Sequence, residues 1–369
     1  MSVQIYVLQA LLISVLLVGM CWRESVWLRL QILTWSIGVI VLALRFGVAQ
    51  QLSFYSNDQH FYAAVVENLS TQQFPSDLDW WLSSAKVPYT VPAAVLSYAG
   101  IEPGLALKVV SLISLLLLTR HVVQIHQPSG LMEGFRLLFL SACGGIGLFF
   151  SLLALRETMM MLFVTCFVTT KSPSSRLLAI LLIALLRPHL AAALLIAAAI
   201  TPLTSWRRSG KPGNGLSALS LMVLGVISGY LLYSIGVAGS ATGIWQNYGH
   251  AWGIDTGTRI ASNYFGLQFL TARSETVEFS IRSLLVLRVL FSETIIIPTL
   301  FTVVLLVRLH SANSQSRLVL LSFSIYVGLV TNTDFNSFRQ NIPFMTAMGL
   351  VILHNLNKRS ARDSVEVSS

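Results

Sequence analysis

The sequence predicts an all-α, polytopic membrane protein, and four observations predict it. Hydrophobic residues make up 54% of the 369 and charged residues 11%, with mean hydropathy +0.72, whereas soluble domains carry about 25% charged residues. Apolar runs of about 20 residues, the length a helix needs to cross a bilayer, recur from end to end. The runs are continuous instead of alternating, which excludes barrel strands. Basic residues gather in a subset of the connections, as they do on the cytoplasmic side of membrane proteins.

About 10 transmembrane segments follow from the apolar runs: 3–22, 28–49, 104–123, 135–155, 157–170, 177–201, 217–238, 284–307, 318–332 and 341–356. The first has no basic residue ahead of it and no small-residue cleavage pattern, so it reads as a retained span and not a signal peptide. Segment 87–103 is apolar but short and flanked by proline, which suits a re-entrant or surface helix. Within 177–201, "LLRPHLAAALL" breaks the run at Arg187-Pro188-His189, because proline removes a helix hydrogen bond and clashes with the preceding turn. That break lets the segment enter and return, and broken helices are tolerated where they line a cavity. The chain is thus expected to form one integral membrane domain over 1–369, with outer loops at 50–103 and 239–283 and a cytoplasmic tail at 357–369.

With that tail inside, the connections 22–30, 119–137, 171–176, 205–213 and 308–317 are also inside and the N-terminus is outside. These segments hold 14 of the 24 basic residues and four of the 15 acidic ones, an excess of ten positive charges against one negative for the rest. The net charge of +9 therefore reports topology and not a nucleic-acid surface. The expected location is a bacterial cytoplasmic (inner) membrane. Cys21, Cys143 and Cys166 suit neither a disulfide framework nor a zinc site. No GxGxxG, Walker A or HExxH pattern occurs; no cofactor is expected, and no metal ligands are assigned.

Charges outside the cytoplasmic loops carry the functional information, since a charge at mid-span costs about 2.5–3.5 kcal/mol. They gather on the outer side: Asp58, the adjacent Arg156 and Glu157, Arg187 and His189 at the break, Asp255 and Arg259, and Asp334 and Arg339. One outward-opening watery cavity would accommodate them. Structural roles stay open beside the functional ones. Arg156-Glu157 also fits a snorkelling pair at a helix end, Arg187 and His189 a polar kink, and Asp255 and Arg259 loop turns. Asp58 suits an N-cap for "QHFYAAVVENL", a short amphipathic helix with Phe61, Val65 and Leu69 on one face.

As a functional set, Arg156, Arg187 and Arg339 suit a diphosphate, which Arg grips through bidentate hydrogen bonds. Asp58 suits a general base, with His189 as its substitute, and Glu157 orients Arg156. Asp255 and Arg259 join the substrate-binding set, and the aromatic loops offer faces for sugar rings. The chemistry is sugar transfer from a lipid diphosphate, which is already activated and needs no nucleotide motif.

The stretch "ALRETMMMLFVTCFV", followed by Lys171 to Arg176 and "RLLAILLIALLRPHLAAALLI", resembles the core of bacterial polysaccharide polymerases of the Wzy and EpsG-like group. Glu157 stands where that group carries Gln. Asp58 in "YSNDQHFY", and Arg339 with Pro343 in "NSFRQNIPFMTAMGLVIL", resemble the GT-C glycosyltransferases that use polyprenyl-linked sugars. The resemblance implies an acidic catalytic residue in the first outer loop. It also implies a polyprenyl-diphosphate-linked sugar donor, a polysaccharide or lipid-linked acceptor, membrane lipid around the chain, and contact with other polysaccharide assembly proteins. Two other classes share these charges: a flippase for lipid-linked oligosaccharide, and a non-catalytic partner in an assembly complex.

Overall fold

Proline and glycine set several of the helix boundaries. The computed structural model describes residues 56–71, 80–81, 85–125, 151, 154, 156–203, 218–239, 256–265, 297–307, 314–331 and 341–352. Among them are eleven helices and no strand. The expected spans at 3–22 and 28–49 lie outside the described residues. The described residues divide into two compact units, one within 56–125 and 151–162 and the other within 163–352, and the division falls inside the helix Glu157–Thr169.

In the first unit, α1 (Ser56–Ser70), α2 (Val87–Tyr98) and α3 (Pro103–Ile125) pack on one another. The inward face of α1 is Tyr62, Val65, Val66 and Leu69, while Phe61 is 43% exposed. The expected face is therefore corrected by one residue: Tyr62 replaces Phe61, because Val66 and Leu69 draw the centre of the apolar stripe toward Tyr62. Asp58 lies inside the first turn and is not the residue preceding it, but a carboxylate there still complements the helix dipole.

Helix α2 starts from Lys86, whose φ of 53° and ψ of 49° are left-handed, with proline in the first turn. It ends in a Schellman motif. The N–H of Gly100 donates to Ser97 O (2.9 Å) and that of Ile101 to Leu96 O (3.2 Å), and glycine supplies the required φ of 94°. Pro103 then opens α3, whose first turn is capped by the Glu102 carboxylate accepting the Leu105 N–H at 2.7 Å. By length and composition, one helix among the described residues can cross a membrane, Pro103–Val122 within α3.

Helix α4 (Glu157–Thr169) is followed by a short turn and α5 (Pro173–Leu186). Arg176 closes that turn by donating from Nε to Thr170 O at 2.6 Å. The break at 187 is a single extended residue, Arg187, with φ −156° and ψ 88°. Its N–H donates to Ile183 O (2.6 Å) and ends α5. Its carbonyl accepts from Leu190 and Ala191 (3.0 and 3.2 Å) and begins α6, Pro188–Ile200.

The second unit is built on α10 (Ser314–Val330), which is buried on all sides from Leu318 onward. Helices α6, α7 (Ala218–Gly239) and α8 (Thr256–Phe265) pack against it, and α9 (Ile297–Val307) packs on α7 and α8. The last helix, α11 (Ile342–Ile352), is buried along nearly its whole length. The α7–α10 contact is close because it lacks side chains: Gly225 and Gly229 of α7 face Ser324, Ile325 and Leu329, and Gly328 of α10 faces Val226. This small-residue spacing is the kind that lets helix backbones meet in membranes. Inside, Ser322, Ser324 and Thr331 donate to the carbonyls of Leu318, Leu320 and Val327 at 2.6–2.7 Å, so buried hydroxyls are satisfied within their own helix.

Candidate functional site

Two groups of candidate side chains are assembled, one in each unit. In the first, α4 opens with Arg156 and Glu157. The Arg156 carbonyl accepts from Met160 N–H at 3.1 Å, which makes Arg156 the N-cap. The turn ahead of it is tight: Ala154 N–H donates to Ser151 O at 3.1 Å, and Ala154 adopts φ 52°, a left-handed value costing a residue with a Cβ roughly 1–2 kcal/mol. The Ser151 and Thr158 hydroxyls meet at 3.3 Å across the same turn.

A guanidinium at a helix N-terminus faces the positive end of the dipole, so Arg156 needs compensation. Glu157, 0% exposed, adds a carboxylate at the same helix end, where the dipole favours it. Tyr62 adds a π-face, with the guanidinium carbon 5.7 Å from the ring centroid; such contacts strengthen as water is excluded. Tyr62 in turn meets Tyr89 edge-on at 5.7 Å. The Tyr89 hydroxyl reaches Leu107 O at 3.3 Å and Ser111 Oγ at 3.0 Å. Burial pushes the Tyr89 phenol well above its ordinary value of 10.0, with the Ser111 hydrogen bond pulling the other way, so it remains a neutral hydroxyl at working pH. Asp58, half-buried, stands one turn before Tyr62 on α1.

In the second unit, Arg187 is 5% exposed and donates from Nη1 to the Tyr326 hydroxyl at 3.0 Å. His189 stacks on the same tyrosine, with centroids 5.8 Å apart and planes within 12°. On α8, Arg259 is half-buried, and Asn263 one turn later ties three elements together. Asn263 Nδ2 donates to Thr331 Oγ1 (3.2 Å), and Asn341 Nδ2 donates to Asn263 O (2.8 Å). Next to Asn263, burial raises the Tyr264 phenol, with Ser324 beside it acting in the opposite direction.

The structure thus brings Arg156 and Glu157 together with Tyr62 and Tyr89, and Arg187 and His189 together on Tyr326. Asp255 and Arg339 lie outside the described residues. Sequence reasoning missed Tyr62, Tyr89, Tyr326 and Asn263. Tyr62 carried a usable signal, four residues after Asp58 and so on the same helix face. Among the described residues, no group of three His, Cys, Asp or Glu is placed to hold a metal ion. No family model, curated protein or solved structure matches the chain.

Proposed function

We propose that the chain is a multi-pass membrane glycosyltransferase or polysaccharide polymerase acting on a polyprenyl-diphosphate-linked sugar at the outer face of the membrane. The observation that carries this reading is the Arg156–Glu157–Tyr62–Tyr89 group, buried among apolar helices and bracketed by two left-handed residues, Lys86 and Ala154. Unfavourable backbone geometry on both sides of a buried charge is a feature of sites built for chemistry and not for packing alone. The exposed apolar side chains on several helices support the membrane part of the reading, and so do the buried Glu157 and Arg187, since charges within membranes are sequestered from lipid.

In the proposed reaction, an acceptor hydroxyl oxygen attacks the anomeric carbon of the donor sugar. The bond from that carbon to the diphosphate oxygen breaks, and the lipid diphosphate leaves with the electron pair. The acceptor proton passes to the Asp58 carboxylate. Arg156 holds the diphosphate as charge develops, the term that dominates many such steps, and Glu157 keeps the guanidinium oriented. In the second unit, considered by itself, Arg187 at the head of α6 has the donor geometry to grip a diphosphate.

The test is complementation in cells lacking the chain, scoring surface polysaccharide and the leaflet on which lipid-linked sugars accumulate. Arg156→Ala and Asp58→Asn are expected to insert normally, abolish the polymer and accumulate lipid-linked units on the outer leaflet. Accumulation on the inner leaflet alone would replace the transferase by a flippase, and full activity of both variants would remove these residues from the mechanism.

A further inference from the structure

We infer that Tyr326 is a positioning residue, one that holds the Arg187 guanidinium in place for a diphosphate. The inference rests on the diphosphate role of Arg187 proposed above. Arg187 is fixed at its backbone because it closes one helix and opens the next. Tyr326 holds the side chain as well, accepting from Nη1 at 3.0 Å, which anchors one corner of a planar group that has five N–H donors. The plane of the fork is thereby set, and ordering it before the ligand arrives is what strengthens binding.

The anchor itself does not move. The Tyr326 ring is 0% exposed, stacked on His189 at 5.8 Å and tilted against Phe344 at 5.5 Å. It sits on α10, two residues before the Gly328 contact with α7, where the backbones of the two helices meet. A phenol oxygen that accepts from a guanidinium forms a charge-assisted hydrogen bond, stronger than a neutral one. The residues sit 139 positions apart, so nothing local in sequence links them.

The experiment titrates the purified full-length chain in detergent with farnesyl diphosphate, following tryptophan fluorescence, for wild type, Tyr326→Phe, Arg187→Ala and the double variant. Tyr326→Phe keeps the ring and its packing and removes only the oxygen. It is expected to weaken binding about tenfold, the scale of one charge-assisted hydrogen bond, in a chain that still folds and binds. In the Arg187→Ala background, the same substitution should change nothing further. A general loosening of the fold would instead give losses that add, and additive losses or wild-type affinity in Tyr326→Phe would overturn the inference while the diphosphate reading stands. Absence of binding by the wild type would overturn both.

Discussion

Arg156 shows how a single residue can be visible in sequence while its surroundings are not. A charge inside an apolar run is costly, so the pair with Glu157 stands out in the sequence alone. Its compensation came from places no local pattern reveals. Tyr62 lies 94 residues earlier, and an aromatic residue in so apolar a chain reads as packing. The left-handed Ala154 was equally hidden, since alanine carries no preference for that region. Yet Ala154 shapes the turn that delivers Arg156, and this can be tested. Ala154→Gly should be stabilising by up to about 1 kcal/mol, because relief of roughly 1–2 kcal/mol at φ 52° exceeds the entropy that glycine adds to the unfolded chain. Ala154→Val should destabilise, since β-branched residues are outliers there. Thermal midpoints in detergent measure both, and a stabilising Val would show that the turn is not left-handed.

Element boundaries were more legible, because the residues that set them act locally. Pro188 marked the break between α5 and α6, and Pro103 the start of α3. The helix positions of α3, α4, α7, α10 and α11 also followed from the apolar runs, and of these α3 is long and apolar enough to cross a membrane. Lateral packing was less legible. Gly225 and Gly229, four residues apart, are a sequence signal for close helix contact, but their partner Gly328 could be found only in three dimensions. The contact makes a strong prediction. A side chain at Gly229 would collide with backbone atoms of Ile325 and Leu329, which cannot move aside as a side-chain tip can. Gly229→Leu should therefore cost at least the roughly 1–3 kcal/mol of ordinary overpacking and lower the thermal midpoint. Leu219→Ala, on an exposed part of the same helix, serves as the control, and equal midpoints for the two would place Gly229 outside the interface.

At the largest scale the described residues offer, the interior is mostly apolar and so is much of the outer surface of the helices. Glu157, Arg187, Asn263 and Asn341 are buried, while Leu, Val and Ile face outward on several helices. On α7 the outward residues are Leu219, Val223, Ile227 and Leu231, each between 48% and 59% exposed, and their spacing of four draws one continuous stripe along the helix. Such a stripe in water would be an aggregation surface, whereas against acyl chains it is the cheapest face a helix can present. The two surroundings make opposite predictions for a charge placed on it. In water, Ile227→Lys would raise solubility and leave folding intact. In a bilayer, a lysine near mid-span costs about 2.5–3.5 kcal/mol and should lower the fraction of chain inserted. Alkaline extraction of membranes from cells expressing the variant distinguishes the cases. Wild type should remain in the pellet while part of Ile227→Lys is released or degraded, and a variant that stays soluble and folded would refute a lipid-facing α7.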